Sequence, residues 1–264
     1  HDTDVPVPKT FGYCDDETII GTPFFVMDHV IGNIYWELLL PGCDPNQRRE
    51  IYLSMNDTIA KLHNVDFDKV NLADYGKHEN YMDRQIHRWT KQYKDSETQM
   101  IPEINELIEW LPKNIPSDQE TTIVHGDFRL DNMIFDPITH EVKAILDWEL
   151  STLGNPIADF TYHMMSWRLP AGAKGLGMMG SDLKSLNIPS ENEYAELYYK
   201  KTGREKIDNW DFYMAYNIFR LAGIAQGIVG RVRDGTASSS EAKNYEAFVP
   251  ILGKLGWSIV EGIK

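Results

Sequence analysis

One stretch in the middle of the chain, residues 123 to 149, constrains the fold more than any other feature of the sequence. Two short apolar runs, Met133 to Phe135 and Val142 to Leu146, stand on either side of a polar break that opens with an Asp-Pro pair. Short apolar runs around such a turn signal predict the two strands of a β-hairpin. The open end of that hairpin would bring Asn132 and Asp147 together.

Three polar residues around this hairpin suit phosphoryl transfer. Asp127 and Asn132 are five positions apart before it, and Asp147 follows it. Phosphoryl transfer needs a proton acceptor for the attacking hydroxyl and oxygen ligands for Mg²⁺ beside the donor phosphates. The spacing of the first two residues is that of the Asp and Asn in a kinase catalytic loop. Each of the three alone could be a cap or turn residue, so the prediction depends on their combination.

Composition narrows the class of protein. The 264 residues, of which 42% are hydrophobic, suffice for one large core or for two lobes around a cleft. No apolar run approaches the roughly 18 residues of a membrane span, and no signal segment opens the chain. Two cysteines are too few for a disulfide framework, which favours the cytoplasm. The net charge of −14 argues against nucleic acid as a partner.

The remainder of the chain is predicted to begin with strands and to continue as helices. Thr10 to Tyr13 is a candidate strand, and the apolar run from Pro23 to Met27 predicts a buried one. Asp44-Pro45 is an N-cap followed by proline at the first helical position. Apolar stripes at helical spacing follow, and they indicate core-facing helices. One of them, from Met82 to Tyr93, also carries several cations.

Those cations and a glycine-rich loop each have two interpretations. Arg84, Arg88, Lys91 and Lys94 could form a solvated helix face, or could attract an anionic substrate such as an acyl-CoA. Gly175, Gly177 and Gly180 formally match G-x-G-x-x-G, but a proline and small residues stand where the dinucleotide motif requires a strand. We therefore interpret residues 169 to 181 as a mobile loop on the substrate side.

Longer segments carry a family resemblance. His-Gly-Asp-Phe-Arg-Leu-Asp-Asn at 125–132, Leu-Asp-Trp-Glu at 146–149 and Ser-Thr-Leu-Gly-Asn-Pro-Ile-Ala-Asp-Phe at 151–160 resemble the aminoglycoside-phosphotransferase and choline-kinase superfamily. Residues 88–93 and 222–227 are similar to segments of one branch of this superfamily, which is related to the kinase-like domains fused to some acyl-CoA dehydrogenases. The likeness covers essentially the whole chain.

The resemblance implies an α+β, protein-kinase-like two-lobed fold. Residues 1–29 would be a remnant of the N-terminal β-lobe, comprising its last strands and the hinge. Residues 30–264 would be the helical C-lobe with the catalytic loop and the metal-binding hairpin. Only 27 residues precede Asp28, and they include one lysine, Lys9. A nucleotide-covering loop and a phosphate-binding lysine are therefore missing, and we expect that this chain by itself is not a competent kinase.

The resemblance also implies roles for individual residues. Asp127 would be the catalytic base, with Asn132 and Asp147 as ligands of Mg²⁺ and Glu149 as a further metal or water contact. The hinge would contact the adenine of ATP, or the base of GTP, through Met27, Asp28, His29 and Val30. His125 and Asp159 would support the catalytic loop. Arg129 is a candidate phosphate or substrate contact, although a local ion pair with Asp131 explains it equally well.

The expected activity is phosphorylation of a hydroxyl group on a small molecule. A hydroxyacyl-CoA or a hydroxy acid is the acceptor that the resemblance favours. An aminoglycoside is the alternative acceptor, and the acidic composition would suit such a polycation. A non-catalytic pseudokinase that binds nucleotide or acyl-CoA is the alternative function. No membrane partner is expected, and the sequence leaves the oligomeric state open.

Overall fold

The computed structural model describes residues 3–117, 120–172, 175–236 and 245–263. Within these ranges the strands are β1 (Thr10–Cys14), β2 (Phe24–Met27), β3 (Thr122–Val124), β4 (Met133–Phe135), β5 (Val142–Ile145) and β6 (Thr152–Gly154). The α-helices are α1 (Glu17–Ile20), α2 (Pro45–His63), α3 (Tyr81–Ser96), α4 (Pro102–Trp110), α5 (Pro156–Met164), α6 (Glu191–Thr202), α7 (Trp210–Arg233) and α8 (Phe248–Ile263). Short 3₁₀ turns span Leu111–Lys113, Leu130–Asn132, Trp148–Leu150 and Met165–Trp167.

The strands pair in three antiparallel ribbons, β1 with β2, β3 with β6 and β4 with β5. The central hairpin is confirmed, because Met133 lies opposite Ile145 and Ile134 opposite Ala144. Its turn is closed by Asp136, whose carboxylate accepts hydrogen bonds from the backbone N–H groups of the two residues after Pro137, at 2.8 and 3.0 Å. This is the local bonding that favours aspartate at turns.

The front of the chain differs in part from the prediction. The strand at Thr10 is confirmed, and Asp16 caps the single turn of α1. The expectation that β2 is a buried strand is wrong, because Phe25 is 60% exposed and Val26 50% exposed. The physical reason is that, within the described part of the chain, β2 pairs with β1 alone, so its β-prone residues lie on a two-stranded ribbon that leaves them exposed. The apolar run correctly indicated a strand, but apolar composition alone does not provide a covering layer.

Helices form the body of the molecule. The predicted start of α2 is confirmed, since Asp44 and Gln47 form a reciprocal capping box with Pro45 at the first position. Helix α7 is buried on nearly all sides and packs against α3, α5 and α8. The glycine-rich loop follows the 3₁₀ turn Met165–Trp167 rather than a strand, which agrees with rejecting the dinucleotide interpretation. Among the described residues no helix is long and apolar enough to cross a membrane.

Candidate active site

Asp127 and Asn132 are held together on the loop that follows β3. The Asn132 Nδ2 donates to the backbone O of Asp127 at 2.9 Å and to its carboxylate Oδ2 at 3.1 Å. Two acceptors on one side fix the orientation of the amide, so that its nitrogen faces Asp127. No donor among the described residues bonds the Asn132 Oδ1, which is therefore available to a cation.

The hairpin brings Asp147 to the same end. The Leu146 N–H donates to the backbone O of Asn132 at 2.8 Å. This hydrogen bond places Asp147, the next residue in the chain, close to Asn132. Asp147 has φ 63° and ψ 56°, a left-handed conformation that is uncommon outside glycine. Its carboxylate is exposed and makes no ion pair with any described residue. An unpaired carboxylate held in a strained backbone fits a ligand site better than a structural one.

These oxygens fit the preferences of Mg²⁺ although they do not form a complete cage. The described residues contain no group of three His, Cys, Asp or Glu side chains placed to hold a metal ion. Mg²⁺ in phosphoryl-transfer sites is commonly bound by one or two protein oxygens, with substrate phosphates and waters completing the shell. The Asn132 amide and the Asp147 carboxylate would provide that number. Glu149, on the 3₁₀ turn after Asp147, is exposed and free of ion pairs within the described chain.

His125 connects the two parts of the site. Its Nδ1 accepts the backbone N–H of Asp127 at 3.2 Å, and its Nε2 lies 2.9 Å from the backbone O of Leu146. A nitrogen that accepts carries no proton, so the proton is on Nε2, which donates to Leu146. The buried His125 side chain, in this tautomer, thus holds Leu146, the residue before Asp147, at a fixed position relative to the backbone of Asp127.

Asp159, in the first turn of α5, holds the loop that carries Asp127 through hydrogen bonds to the loop's backbone. Its two carboxylate oxygens accept the backbone N–H groups of His125 and Gly126, both at 2.8 Å. His63 of α2 approaches the same carboxylate at 3.2 Å and, through its other nitrogen, the hydroxyl of Tyr198 at 2.7 Å. Burial alone would raise the pKa of Asp159, but the bonds from His63 and His125 outweigh it and the pKa is lowered. The carboxylate therefore stays charged in the core.

Gly126 requires the absence of a side chain. Its φ is +83°, and a Cβ at this position would lie 2.6 Å from the backbone O of Leu150. Its carbonyl accepts the Nη2 of Arg220 at 2.5 Å, which ties the loop to α7. The guanidinium of Arg220 lies 4.2 Å from the ring centroid of Tyr162. Burial, and to a lesser extent the negative charge of Asp127, raise the pKa of Tyr162 to about 12, although the charge of Arg220 acts in the opposite direction.

Arg129 is engaged in the local ion pair that the sequence left open. Its guanidinium binds both carboxylate oxygens of Asp131, with the Nε at 3.0 Å from Oδ1. Burial would lower the pKa of Arg129, but the bond to Asp131 and the charge of Asp127 raise it. The side chain is 38% exposed and could still reach a ligand.

The four residues predicted to form the hinge follow or end β2. Met27, Asp28 and His29 are exposed and Val30 is partly buried, while the Asp28 N–H donates to the backbone O of Lys9 at 2.8 Å. Just beyond these residues, the chain joins the hairpin of β4 and β5 through a pair of backbone hydrogen bonds between Asn33 and Phe135, at 2.8 and 2.9 Å. The hydrogen bonds and ion pairs of the described residues do not join the four hinge residues directly to Asp127.

Sequence reasoning missed three residues of this site, namely His63, Tyr162 and Arg220. Each lies on a helix remote in sequence from the catalytic loop, and each is nearly inaccessible to solvent. Arg220 carried the best available signal, because a cation in the middle of an otherwise apolar helix is rare unless it has a partner. The bond of His63 to Asp159 joins residues 96 positions apart, and spacing along the chain does not indicate it.

The fold is kinase-like, and the family whose model the chain matches consists of phosphotransferases. The chain belongs to the APH phosphotransferase enzyme family, whose model matches residues 1–196. Mouse acyl-CoA dehydrogenase family member 10 is 45% identical over 96% of this chain and 24% of its own length. Human acyl-CoA dehydrogenase family member 11 is 40% identical over 95% of the chain and 32% of its own length. The chain thus spans about a quarter to a third of these curated relatives.

Solved structures agree on the fold. A Ralstonia eutropha JMP134 protein provisionally identified as an aminoglycoside phosphotransferase superposes with a TM-score of 0.94, at 48% identity, over 98% of this chain and 79% of that one. The GDP and kanamycin complex of APH(2")-IIIa superposes with a TM-score of 0.62 at 11% identity, over 97% of this chain and 77% of that one. At that identity the likeness concerns the fold alone. The expected kinase-like α+β fold is confirmed.

Proposed function

We propose that the protein is a small-molecule kinase that transfers the γ-phosphoryl group of ATP or GTP to a hydroxyl group. The observation that carries this proposal is the double hydrogen bond from Asn132 to Asp127 at the open end of the hairpin, next to Asp147. Membership of a phosphotransferase family supports it. Low-identity neighbours were solved with ADP or GDP, which makes a purine nucleotide the expected donor.

In this proposal Asp127 accepts the proton of the attacking hydroxyl. Asn132 orients that carboxylate through its Nδ2 and offers its Oδ1, with Asp147, to Mg²⁺, while Glu149 binds a water or the same ion. Bound Mg²⁺ would neutralise charge on the donor phosphates. His125 and Asp159 hold the loop in place. Residues 1–29 would belong to the nucleotide lobe, with the hinge at Met27–Val30 against the base, and residues 30–264 to the C-lobe.

The acceptor we favour is a hydroxyacyl-CoA or a related hydroxy acid. Its support is the similarity to acyl-CoA dehydrogenase family members 10 and 11, although their names do not state what this segment binds. Aminoglycosides are the second acceptor class, since two neighbours of the same fold were solved with streptomycin and kanamycin. The net charge of −14 and two free cysteines favour action in the cytoplasm without a nucleic-acid or membrane partner.

The test is turnover by the full-length protein that contains this sequence. ADP release would be measured with and without Mg²⁺ for hydroxyacyl-CoAs, hydroxy acids and aminoglycosides, and the product would be identified by mass. Asp127→Asn should lower kcat by about 10²- to 10⁴-fold, the usual contribution of a positioned base. Asp95→Asn, at an exposed helix position, is the matched control. Nucleotide binding without Mg²⁺-dependent turnover of any acceptor would favour the pseudokinase alternative, and an unchanged kcat in Asp127→Asn would refute the assignment of the base.

A further inference from the structure

A cavity of about 420 Å³ adjoins the loop that carries Asp127. Its walls come from α3, α7, the segment before α3 and the 3₁₀ turn that carries Glu149. Gly126, the residue before the proposed base, is part of the lining. A ligand in this cavity would therefore lie next to Gly126, the residue that precedes Asp127 in the chain.

The cavity has the opposite charge to the rest of the molecule. Four cations line it, and they are Lys77, Arg84, Arg88 and Arg220. Glu149 is the acid among its lining residues, so the formal balance at the cavity is positive, whereas the chain as a whole carries −14. Local cations rather than net charge decide what a pocket binds, because screening limits the reach of distant charges to about 8 Å at physiological salt.

The cations of this cavity form no ion pair with any residue that the structure describes. Arg84 donates to the backbone O of Lys77 at 2.9 Å, and Arg88 lies against the Trp89 ring at 5.3 Å from its centroid. Within the described part of the chain, no Asp or Glu oxygen lies within 4.0 Å of either guanidinium. On the same helix, by contrast, Lys91 pairs with Asp95 and Lys94 with Glu97. The helix therefore has paired cations beyond the cavity and unpaired ones within it.

Arg220 makes the cavity a built site rather than a patch of surface charge. Its side chain is only 5% exposed, and its Nη2 bonds the Gly126 carbonyl at 2.5 Å. Its Nε is buried without a hydrogen-bond partner among the described residues, and no described acid pairs with it. A buried charge without a counter-charge is costly, so its retention points to a partner that arrives from outside. Guanidinium groups bind phosphate and carboxylate oxygens in a bidentate fork, which makes an oxyanion the fitting partner.

We propose that this cavity is the anion subsite for the acceptor, in which Arg84, Arg88 and Arg220 bind its phosphate or carboxylate group. The inference rests on the proposed function for the identity of that anion as part of the acceptor. The geometry gives Arg220 two tasks. It binds the ligand from the cavity wall, and through the Gly126 carbonyl it positions the backbone of the base. Acceptors that carry an oxyanion are thus selected, and polycations such as aminoglycosides are repelled.

The oxyanion can come from two sources, the phosphates of a coenzyme A carrier or the carboxylate of a free hydroxy acid. Calorimetric titration of the full-length protein, without nucleotide, would compare coenzyme A, 3-hydroxybutyrate and kanamycin. Binding of coenzyme A alone identifies phosphate as the group that is bound, and binding of the hydroxy acid identifies carboxylate. Binding of kanamycin in preference to both would overturn the proposal.

Variants separate the subsite from general charge effects. Arg84→Gln and Arg88→Gln should each weaken binding of the anion by about tenfold or more, as expected for loss of a charge-assisted hydrogen bond. Lys91→Gln removes an equal charge from the same helix outside the cavity and should change affinity less than about twofold, because its charge is already paired and exposed. Equal weakening in all three variants would overturn the proposal.

Kinetics test the second task of Arg220. In turnover assays Arg84→Gln and Arg88→Gln should mainly raise the KM for the acceptor, whereas Arg220→Lys, which keeps the charge but not the fork, should also lower kcat. A kcat unaffected in Arg220→Lys would remove the positioning role. Asp127→Asn keeps the subsite intact and should bind the anion with normal affinity. If the wild type binds the anion but turns over no acceptor, the proposed kinase activity alone is refuted. Turnover of an anionic acceptor with an unchanged KM in both arginine variants would refute the subsite alone.

Discussion

The carboxylate of Asp159 accepts the backbone N–H of Gly126 at 2.8 Å, across 33 residues of sequence. It accepts the N–H of His125 at the same distance. The loop that carries the proposed base is therefore held by hydrogen bonds to a charged side chain in the core. His63 supplies a third bond to that carboxylate, from a helix near the front of the chain.

Replacement of Asp159 by asparagine should destabilise the protein by about 2–4 kcal/mol, because one oxygen acceptor becomes a donor that faces backbone N–H groups in a buried site. Urea unfolding at pH 7.5 would measure the change in free energy. The control is Asp95→Asn, whose exposed pair with Lys91 should contribute less than about 1 kcal/mol. Equal effects of the two substitutions would show that the bonds at Asp159 add nothing to stability.

Gly126→Ala should destabilise the protein and lower kcat, since a Cβ would lie 2.6 Å from the Leu150 carbonyl in a left-handed backbone with φ of +83°. Gly203→Ala is the matched control, because that residue has φ of +69° but nothing within 4 Å of its Cβ position. The left-handed conformation should cost both variants about 1–2 kcal/mol. Only Gly126→Ala should cost about 1–3 kcal/mol more from the clash. Indistinguishable unfolding curves would contradict the close approach.

Stability should fall in mildly acidic solution partly because of His163. Its Nε2 lies 3.0 Å from the Tyr194 hydroxyl in the core, and burial lowers its pKa to about 4. The unfolded chain takes up this proton near pH 6.5 and the folded protein only near pH 4, so the unfolded state is favoured increasingly as the pH falls through that window. At about 1.4 kcal/mol for each pKa unit, the full loss is about 3 kcal/mol at pH 4.

His163→Gln keeps an acceptor for Tyr194 but does not titrate, so it should reduce the loss of stability between pH 7 and pH 4.5. Urea unfolding of both proteins across this range measures the difference. The pKa of His63 is lowered as well, by burial, and its contribution should remain in the variant. Parallel pH profiles for the two proteins would show that His163 does not titrate as its burial implies.

Arg129 and Asp131 should be energetically coupled. Their bidentate pair is partly exposed, at 38% and 18% of the respective side chains, so solvent screening should limit the coupling to about 0.5–1 kcal/mol. A double-mutant cycle with Arg129→Gln and Asp131→Asn, followed by urea unfolding, gives this coupling. If the acceptor or its phosphate also needs Arg129, Arg129→Gln should lower kcat/KM more than Asp131→Asn does. Additive effects on stability would mean that the ion pair is not formed in solution.

The sequence by itself determined the class of the protein. The hairpin, its turn and the spacing of Asp127, Asn132 and Asp147 all depend on contacts within one short segment, and local patterns report such contacts. The start of α2 followed equally from Asp44 and Pro45. The kinase-like fold that the resemblance implied is confirmed by the solved structures of related fold.

Only the tertiary structure decided what surrounds that segment. The packing of distant elements decides three features. They are the bond of His63 to Asp159, the contact of Arg220 with Gly126 and the exposure of β2. Spacing along the chain carries no information about such packing. The two interpretations of the cationic helix show this most clearly, because Arg84 and Arg88 line the cavity while Lys91 and Lys94 pair with acids. The charges are a property of the sequence, but the neighbours that neutralise them or leave them unpaired are set by the fold.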